Sequence, residues 1–167
     1  MHPIIDIRRS CLQDIDVLMP IYDRARVFMA DNGNPGQWTG GYPSEDLIRS
    51  EIKKGHSYVC CTSSGKIAGT FCFIIGEDPT YRLIEDGRWL APGPYGTIHR
   101  LASSGLVKGV VDACIGWCWN RIHNLRADTH ADNTVMQNIL SLNGFTRCGI
   151  IYTDNGSPRI AYQKCLP

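Results

Sequence analysis

The stretch from Tyr95 to Val111 constrains the fold most, because its periodicity changes partway along. Residues 97–102 alternate as in a β-strand, and Ser103-Ser104-Gly105 follows with a strong preference for a turn. After this break, apolar residues recur at spacings of three and four, which predicts a helix. They are Val111, Cys114, Ile115, Cys118 and Ile122. We therefore expect a strand, a short loop and a helix in direct succession.

The start of that helix is a candidate anion site. The first amides of a helix have no partner within it, and the helix dipole adds partial positive charge there. Gly109 allows a ligand to approach the backbone closely, and Lys108 adds a cation. An ordinary strand-to-helix connection with a glycine at a tight spot explains the same residues equally well, because one glycine is a weak signal.

Length, composition and charge indicate a single globular domain over residues 1–167. The chain has 167 residues, of which 43% are hydrophobic, and a formal net charge of +1. The near-neutral charge gives no electrostatic argument for binding nucleic acid or an anionic membrane. No apolar run approaches the roughly 20 residues that cross a bilayer. The opening MHPIIDIRRS is not typical of a signal peptide, and we expect a cytoplasmic protein.

The eight cysteines indicate neither disulfides nor a metal site. Cys60 and Cys61 are adjacent, Cys72 lies in an apolar run, and Cys114 and Cys118 share a predicted helix face. Nothing resembles two paired C-x-x-C groups of zinc ligands. Free thiols that serve as small core side chains are the better interpretation, and we expect no metal.

The whole chain alternates strands and helices. Periodicity and turn signals predict the order strand, helix, helix, strand, strand, strand, helix, strand, helix, strand, strand. Residues 31–43 are rich in Gly, Pro and Asn and form a loop, and residues 77–94 are irregular with a short helical turn around residues 81–85. Gly144 is expected to end the last helix in the left-handed conformation. The order indicates an α/β mixture whose front half is largely antiparallel.

Two stretches, taken together, resemble the GNAT superfamily of acyl-CoA-dependent N-acyltransferases. The first is LASSGLVKGVV, residues 101–111, followed by its apolar helix. It resembles the family's strand, pyrophosphate loop of the type Q/R-x-x-G-x-G/A, and helix. The second is ADNTVMQNILSLNGF, residues 131–145, which resembles the family's asparagine-containing helix leading into a Gly-Phe strand start. The order of elements agrees over nearly the whole chain.

The resemblance implies a fold and a reaction. The fold is a mixed, mostly antiparallel sheet of about seven strands flanked by about four helices, with splayed central strands. The reaction is transfer of an acetyl group from acetyl-CoA to an amine of a small molecule or peptide, by direct attack in a ternary complex. The protein then supplies positioning, a backbone donor for the oxyanion and a route for the amine's proton.

The resemblance also implies the cofactor-binding residues. The pantetheine arm of acetyl-CoA is expected to pair with the backbone near Leu101 like an added strand, and Asn133 to contact the arm or the nucleotide end. The full expected set is Leu101, Ala102, Leu106, Val107, Lys108, Gly109, Val110, Val111 and Asn133. Leu106 departs from the family's usual Gln or Arg, and Val111 from a second small residue. Leu140 stands where many members have a Tyr that is taken as the general acid.

His99 is the leading candidate for the base that takes the amine's proton. It precedes Leu101 by two residues on the strand expected to line the cleft, and an unperturbed imidazole titrates at about pH 6.5. A hydrogen-bonded His99 that fixes the preceding loop is the alternative, since geometry decides a base before its pKa does. His130, Asp128 and Tyr152 are weaker candidates, and water can also relay the proton.

The loop of residues 31–43 carries the expected acceptor-binding residues, Gln37, Trp38 and Tyr42. Aromatic and acidic side chains together suit a cationic amine. Anchoring of the loop to the core explains Trp38 and Tyr42 equally well.

Three classes of function stay open at this stage. The first is an N-acetyltransferase, in which Tyr95, Tyr152 or solvent replaces the missing acid. The second is a non-catalytic acyl-CoA-binding sensor or interaction domain, which the altered loop and Leu140 motivate. The third is an unrelated α/β domain that matches the motifs by chance. The edges of the C-terminal hairpin favour pairing into a homodimer.

Overall fold

The computed structural model of the chain describes residues 4–167, and these form seven strands and four helices. The strands are β1 (Ile4–Arg9), β2 (Ser57–Thr62), β3 (Ile67–Ile75), β4 (Gly96–Ser103), β5 (Asn124–Thr129), β6 (Thr146–Tyr152) and β7 (Pro158–Cys165). The helices are α1 (Ile15–Asp31), α2 (Glu45–Lys53), α3 (Val110–Trp119) and α4 (Thr134–Leu142). The predicted order is confirmed, and a 3₁₀ turn lies at Pro79–Tyr81, slightly before the expected residues 81–85.

All seven strands form one sheet in the order β1-β2-β3-β4-β5-β7-β6. Neighbouring strands are antiparallel except for β4 and β5, which run parallel. The mixed, mostly antiparallel sheet with four flanking helices that the sequence predicts is confirmed. Gly144 ends α4 with φ of 86°, as expected for a left-handed helix end.

The parallel strands β4 and β5 separate soon after they begin to pair. Their register holds at two positions, Gly96 with Leu125 and Thr97 with Arg126. Beyond Thr97, the edge of β4 that faces β5 has no strand partner in the described sheet. This opening is the predicted splay of the central strands.

A β-bulge lies in β4 at the same place. Between His99 and Ala102, β4 carries Arg100 and Leu101 where β3 has the single residue Phe71. Arg100 has φ of 51°, a left-handed value that few non-glycine residues adopt. A bulge of this kind bends the strand and re-aims its side chains. The bulge therefore sets which side chains of β4 reach the opening beside β5.

Helices cover both faces of the sheet. Adjacent residues of β2 show the two sides, because Cys60 packs in the cluster that contains α3 and α4 while Cys61 packs against α1 and α2. Leu18 of α1 and Leu125 of β5 are fully buried, and each such side chain stabilises the fold by about 1.5–3 kcal/mol. Gly69 of β3 lets the start of α3 pack closely, since an added Cβ would meet Val110 at 2.4 Å.

A third, smaller core holds the irregular segment of residues 76–95 against β6 and β7. Tyr81 and Tyr95 of this segment pack with Ile151 and Ala161. The Trp89 Nε1 also donates to the carbonyl of Tyr81 at 3.0 Å. The segment is thereby fixed beside the opening between β4 and β5, although its sequence has no regular periodicity.

The cysteines are free thiols, and six of the eight are buried. Burial raises the pKa of Cys60 to about 12 and that of Cys72 to about 11, so both stay protonated at neutral pH. Residues 4–167 contain no group of three His, Cys, Asp or Glu side chains arranged to hold a metal ion. No helix in the described part of the chain has the length and apolar character to cross a membrane.

Asp14 joins the start of α1 to β1 and allows a stability prediction. Its carboxylate accepts hydrogen bonds from Arg8 Nη1 at 2.9 Å and Nη2 at 3.1 Å, and from the Cys11 amide at 2.8 Å. The hydrogen bonds from Arg8 lower the pKa of Asp14 below its ordinary value. We expect Asp14→Asn to lower the free energy of unfolding by about 1 kcal/mol at neutral pH, because the Arg8 side chain is 43% exposed and solvent screens the pair.

The pH dependence of this loss has a definite sign. A pKa depressed by folding contributes stability above the unfolded value of about 3.9, and the contribution is lost as the pH falls through the folded value. Urea unfolding at about pH 7 and about pH 3 should therefore show a deficit in the variant that narrows at acid pH. A deficit of equal size at both pH values would exclude an electrostatic origin.

Candidate functional site

A cleft of about 560 Å³ opens where β4 and β5 separate. The strands no longer fill the sheet there, so side chains from both helical layers reach the same space. From one layer come Val111, Ile115, Met136 and Leu140; from the other side come Met29, Trp38, Tyr42 and Glu51. His99, Arg100 and Leu101 of β4 and Asp128 of β5 form the walls between them. The cleft thus connects two chemically different halves.

The loop after β4 presents a row of unpaired backbone N–H groups beside the cleft. The N–H groups of residues 107–112 donate to no described residue, and the first bond of this helix end runs from the Ala113 amide to the Gly109 carbonyl at 3.0 Å. Gly109 precedes α3 with φ of 84°, a conformation that favours glycine. Amides aligned at a helix N-terminus bind anions, so this loop suits phosphate groups.

Two cations stand beside this loop. Lys108 is an exposed part of it. Arg24 of α1 reaches across and donates from Nη1 to the carbonyl of Ser103 at 3.3 Å. Arg24 was not expected from the sequence, because its helix lies far from the loop along the chain. Arg24 places a positive charge near this loop, whereas Leu106 of the loop itself is uncharged.

The residues expected to bind the cofactor fall into three groups. The cleft is lined by Leu101, Val111 and Asn133. The loop surface, exposed or half-buried, consists of Leu106, Val107, Lys108 and Gly109. The core takes the buried side chains of Ala102 and Val110. For this last pair only the backbone is available to a ligand, which is the part that the prediction requires.

Asn133 and Gln37 are connected, and together they fix the loop of residues 31–43. The Asn133 Oδ1 accepts from the Met136 amide at 3.0 Å and caps α4, while its Nδ2 donates to Gln37 Oε1 at 2.9 Å. The same Gln37 oxygen accepts from Asn34 Nδ2 at 2.9 Å and Thr129 Oγ1 at 3.2 Å. Both residues line the cleft, and these side-chain bonds hold its wall in place.

Trp38 and Tyr42 both line the cleft and pack on one another. The Trp38 ring lies 5.9 Å from that of Tyr22 and 6.1 Å from that of Tyr42. The Tyr42 hydroxyl accepts from Arg100 Nε at 2.7 Å. The sequence left two interpretations open, pocket lining and anchoring of the loop. In the structure, the two side chains do both.

His99 faces the cleft and is held by Asp78 from the irregular segment. Its Nε2 lies 3.1 Å from Asp78 Oδ2. Asp78 also accepts from the Thr80 amide at 2.9 Å and the Thr80 hydroxyl at 2.7 Å. Burial opposes ionisation, but the hydrogen bonds from His99 and Thr80 outweigh it and lower the pKa of Asp78 to about 2. A neutral His99 that donates from Nε2 to this carboxylate carries its lone pair on Nδ1.

Asp128 is a second carboxylate in the cleft with a different environment. Its Oδ2 accepts from the Tyr81 hydroxyl at 2.7 Å. Burial raises the pKa of Asp128, while His99, the hydrogen bond from Tyr81 and the charge of Arg159 act in the opposite direction. Two carboxyl groups with pKa values shifted in opposite directions are typical of sites that move protons.

The other acid–base candidates lie elsewhere. His130 Nδ1 accepts from the Asp132 amide at 3.0 Å and stabilises the turn before α4. The Tyr95 hydroxyl accepts from the backbone of the irregular segment, and the Tyr152 hydroxyl donates to a surface glutamate. Neither Tyr95 nor Tyr152 lines the cleft, whereas Tyr42 does. Leu140 presents an apolar side chain there.

Sequence reasoning missed several charged residues of the cleft. Arg100 and Arg159 could have been recognised as unusual, because each is a charged residue within an otherwise apolar strand pattern. Glu51 belongs to an amphipathic helix, and nothing in the sequence distinguishes it from the other polar residues of that helix. Asp78 had no signal, since it belongs to a segment without periodicity.

Comparisons with known proteins support the family resemblance at the level of structure. No protein-family model and no curated protein sequence matched the chain. Solved structures did match it. A GNAT-family acetyltransferase from Streptococcus agalactiae 2603 is 31% identical, with 97% of this chain and 95% of that chain covered and a TM-score of 0.88.

More distant structures share the fold. A GNAT-family acetyltransferase from Listeria monocytogenes 4b F2365 has a TM-score of 0.70 at 21% identity, over 96% of this chain and 94% of that one. One from Bacillus cereus ATCC 10987 has a TM-score of 0.61 at 16% identity, over 97% and 98% of the two chains. A chance match of two short motifs does not explain agreement over the whole chain.

Proposed function

Because the chain belongs to the GNAT family of acetyltransferases, we propose that it transfers an acetyl group from acetyl-CoA to an amine of a small molecule or peptide. One observation carries the proposal. The cleft between the splayed strands is lined by Val111, one of residues 107–112 whose N–H groups have no partner in the described structure, and by a histidine held by a carboxylate, His99 with Asp78. The first part suits a phosphate-bearing cofactor, and the second suits proton transfer from an amine.

The residues on the cofactor side fit acetyl-CoA. The unpaired amides of residues 107–112 and the cations of Lys108 and Arg24 suit the pyrophosphate. The unpaired edge of β4 beyond Thr97 suits the amide groups of the pantetheine arm, which would add to it as a strand. Leu106 contributes no donor, and Arg24 supplies charge at this loop in its place.

The residues on the acceptor side then handle the amine's proton. When bound, acetyl-CoA would supply the activated acetyl group: the neutral amine would attack its carbonyl carbon, the C–S bond would break, and coenzyme A would leave as a thiolate that takes a proton from solvent. His99 takes the proton at Nδ1, because Asp78 occupies its Nε2. Asp78 keeps the imidazole in this orientation and stabilises the imidazolium that forms. Gln37, Trp38 and Tyr42 form the wall against which the acceptor lies.

The test begins with binding. Thermal unfolding is measured with acetyl-CoA, coenzyme A and desulfo-coenzyme A in excess. A ligand at about 100 times its Kd stabilises the native state by about 2.7 kcal/mol, which shifts the midpoint by several degrees. Turnover of acetyl-CoA with a panel of amines follows. Absence of a shift with all three ligands would exclude the cofactor site, and binding without turnover on any amine would favour the non-catalytic sensor.

A pair of glycine variants makes the binding test specific for the loop. Gly109 has φ of 84° before α3, and Gly156 has φ of 81° in the β6–β7 hairpin with nothing near its Cβ position. Alanine costs about 1 kcal/mol of backbone strain at either site. Only Gly109→Ala should also weaken acetyl-CoA binding, by about tenfold. Equal affinities in the two variants would place the pyrophosphate elsewhere.

A further inference from the structure

The acceptor half of the cleft contains a buried cation that has no carboxylate partner. Arg159 of β7 is 7% exposed and lines the cleft. Within residues 4–167, no Asp or Glu oxygen lies within 4.0 Å of its guanidinium nitrogens. Burying a guanidinium without a counter-ion is costly, and buried charges are normally paired. Arg159 is therefore the group in the cleft that most needs explanation.

The hydrogen bonds of Arg159 hold its side chain in place but occupy only some of its N–H groups. Nη1 donates to the Ser157 hydroxyl and to the Pro158 carbonyl at 2.9 Å, and Nη2 donates to the Gln37 carbonyl at 3.2 Å. A guanidinium has five N–H groups. The Nε–H and one N–H on Nη2 have no partner in the described structure. A guanidinium offers pairs of N–H groups in a fixed fork that matches a carboxylate.

Two other largely buried arginines of the sheet, Arg100 of β4 and Arg126 of β5, show how this fold accommodates a structural arginine. Arg100 pairs with Glu51 and donates to Tyr42. Arg126 is stacked between aromatic rings, with its guanidinium carbon 4.0 Å from the centre of Trp89 and 3.9 Å from that of Tyr95. Arg159 has neither an acidic partner nor an aromatic ring over its guanidinium among the described residues. Arg126 also has no acidic partner, and its buried Nε has no hydrogen-bond partner among the described residues, but two rings cover its guanidinium and it does not line the cleft. Arg159 lines the cleft with neither kind of partner.

Asp128 lines the same half of the cleft and has a carboxylate oxygen without a hydrogen-bond donor among the described residues. Its Oδ2 accepts from Tyr81, while its Oδ1 accepts no hydrogen bond from residues 4–167. It lies within electrostatic range of both His99 and Arg159. The half of the cleft that contains His99 thus has one carboxylate and one guanidinium that are incompletely hydrogen-bonded. A ligand that carries both charges would satisfy both.

We propose that the acceptor is an amino acid, whose carboxylate binds the guanidinium of Arg159 and whose amino group enters beside Asp128 and His99. This inference rests on the proposed acetyl transfer and narrows its substrate class. Arg159 contacts the substrate away from the reacting nitrogen, so it acts in binding and orientation. Ser157 and the Gln37 carbonyl position the guanidinium.

The test compares each amino acid with its own amide, a pair that differs in charge and little in shape. Wild-type protein should acetylate the acid with a kcat/KM at least about tenfold above that of the amide. Arg159→Gln should lower kcat/KM for the acid by about 100-fold and leave the amide within about threefold, so that the preference disappears. A matched aminophosphonate shows whether the site accepts anions other than carboxylate.

Two further variants keep the test decisive. Arg126→Gln removes a buried arginine on the neighbouring strand, and it should leave the acid-to-amide ratio unchanged. Arg159→Lys keeps the charge but loses the fork, and it should retain a reduced preference. If circular dichroism shows that Arg159→Gln does not fold, the acid-to-amide ratio of kcat/KM in Arg159→Lys tests the inference instead. An unchanged ratio, or equal loss on acid and amide, would overturn the inference.

Binding separates this inference from the proposed function. Calorimetry of the acid and its amide is done on protein saturated with coenzyme A. Preferential binding of the acid that Arg159→Gln abolishes would support the amino-acid site even if no acetyl-CoA is consumed. Acetyl transfer to amines without preference for the acid would uphold the function and reject the site. Equal or absent binding of acid and amide, without turnover, would also reject it.

Discussion

Replacing His99 by glutamine should lower kcat for acetyl transfer by about 100- to 10,000-fold, the range that a positioned general base contributes. The expectation follows from geometry, because His99 lines the cleft and Asp78 holds its Nε2 at 3.1 Å. The loss should appear in kcat of protein whose fold is intact by circular dichroism.

Asp78 and Asp128 have pKa values that are shifted in opposite directions. The pKa of Asp78 is about 2, so its contribution to folding is present above the unfolded value of about 3.9 and is lost as the pH falls through about 2. Asp78 therefore stays ionised at neutral pH. Burial raises the pKa of Asp128, and Asp128→Asn tests whether this carboxyl contributes to kcat apart from His99. Asp78→Asn should cost about tenfold in kcat by loosening the imidazole.

His123→Gln is the matched control for the loss of a histidine. His123 is exposed and stacks on Trp119, 4.7 Å between ring centres, outside the cleft. Its replacement should leave kcat and the pH profile unchanged. Unaltered kcat in folded His99→Gln would show that water relays the proton. His99 would then be the structural residue of the alternative interpretation, and Asp78→Asn or His99→Gln would loosen the irregular segment instead.

Replacing Glu51 by glutamine should lower the free energy of unfolding by about 3 kcal/mol, because it removes one partner of a buried charge network. The Glu51 side chain is 7% exposed, and its Oε2 lies 3.4 Å from Arg100 Nη1 and 3.3 Å from His56 Nδ1. Arg100 would keep its charge in a buried place without its carboxylate. Urea or guanidinium unfolding measures the loss.

A second ion pair on the same helix provides the control. Glu45 and Arg49 lie 2.8 Å apart on α2, with about half of each side chain exposed. Glu45→Gln should cost no more than about 0.5 kcal/mol, because solvent screens an exposed pair. Similar losses in the two variants would mean that burial adds nothing to the Glu51 network. A loss specific to Glu51→Gln should also disturb catalysis, since Arg100 forms the bulge beside the cleft.

The elements of this fold were predictable because their signals are local. Turn residues, caps and apolar spacing depend on neighbours a few positions apart, and these predicted seven strands, four helices and the left-handed Gly144. Ser44 illustrates this, since its side chain accepts from the Leu47 amide three positions on and caps α2. Ser10 also precedes a helix, but its side chain bonds to Ser57 of β2, and α1 begins only at Ile15.

The candidate site was predictable only in part. His99, Gly109 and the aromatic loop could be proposed because each lies in a motif or a distinctive composition. Asp78 could not, because its contact with His99 depends on how an irregular segment returns over the sheet. Arg24 reaches the loop after β4 from a helix of the front half of the chain for a similar reason.

The sequence by itself predicted the order of elements, the glycine loop before α3 and a resemblance to an acetyltransferase family, which the match to a solved structure then confirmed. Only the tertiary structure decided which charges meet: Asp78 with His99, Glu51 with Arg100, and Arg159 with no acid of residues 4–167. The physical reason lies in the range of the interactions. Helix and turn formation is decided within a few residues, whereas strand order, a splay after two paired positions and a bulge at Arg100 are set by contacts between distant segments.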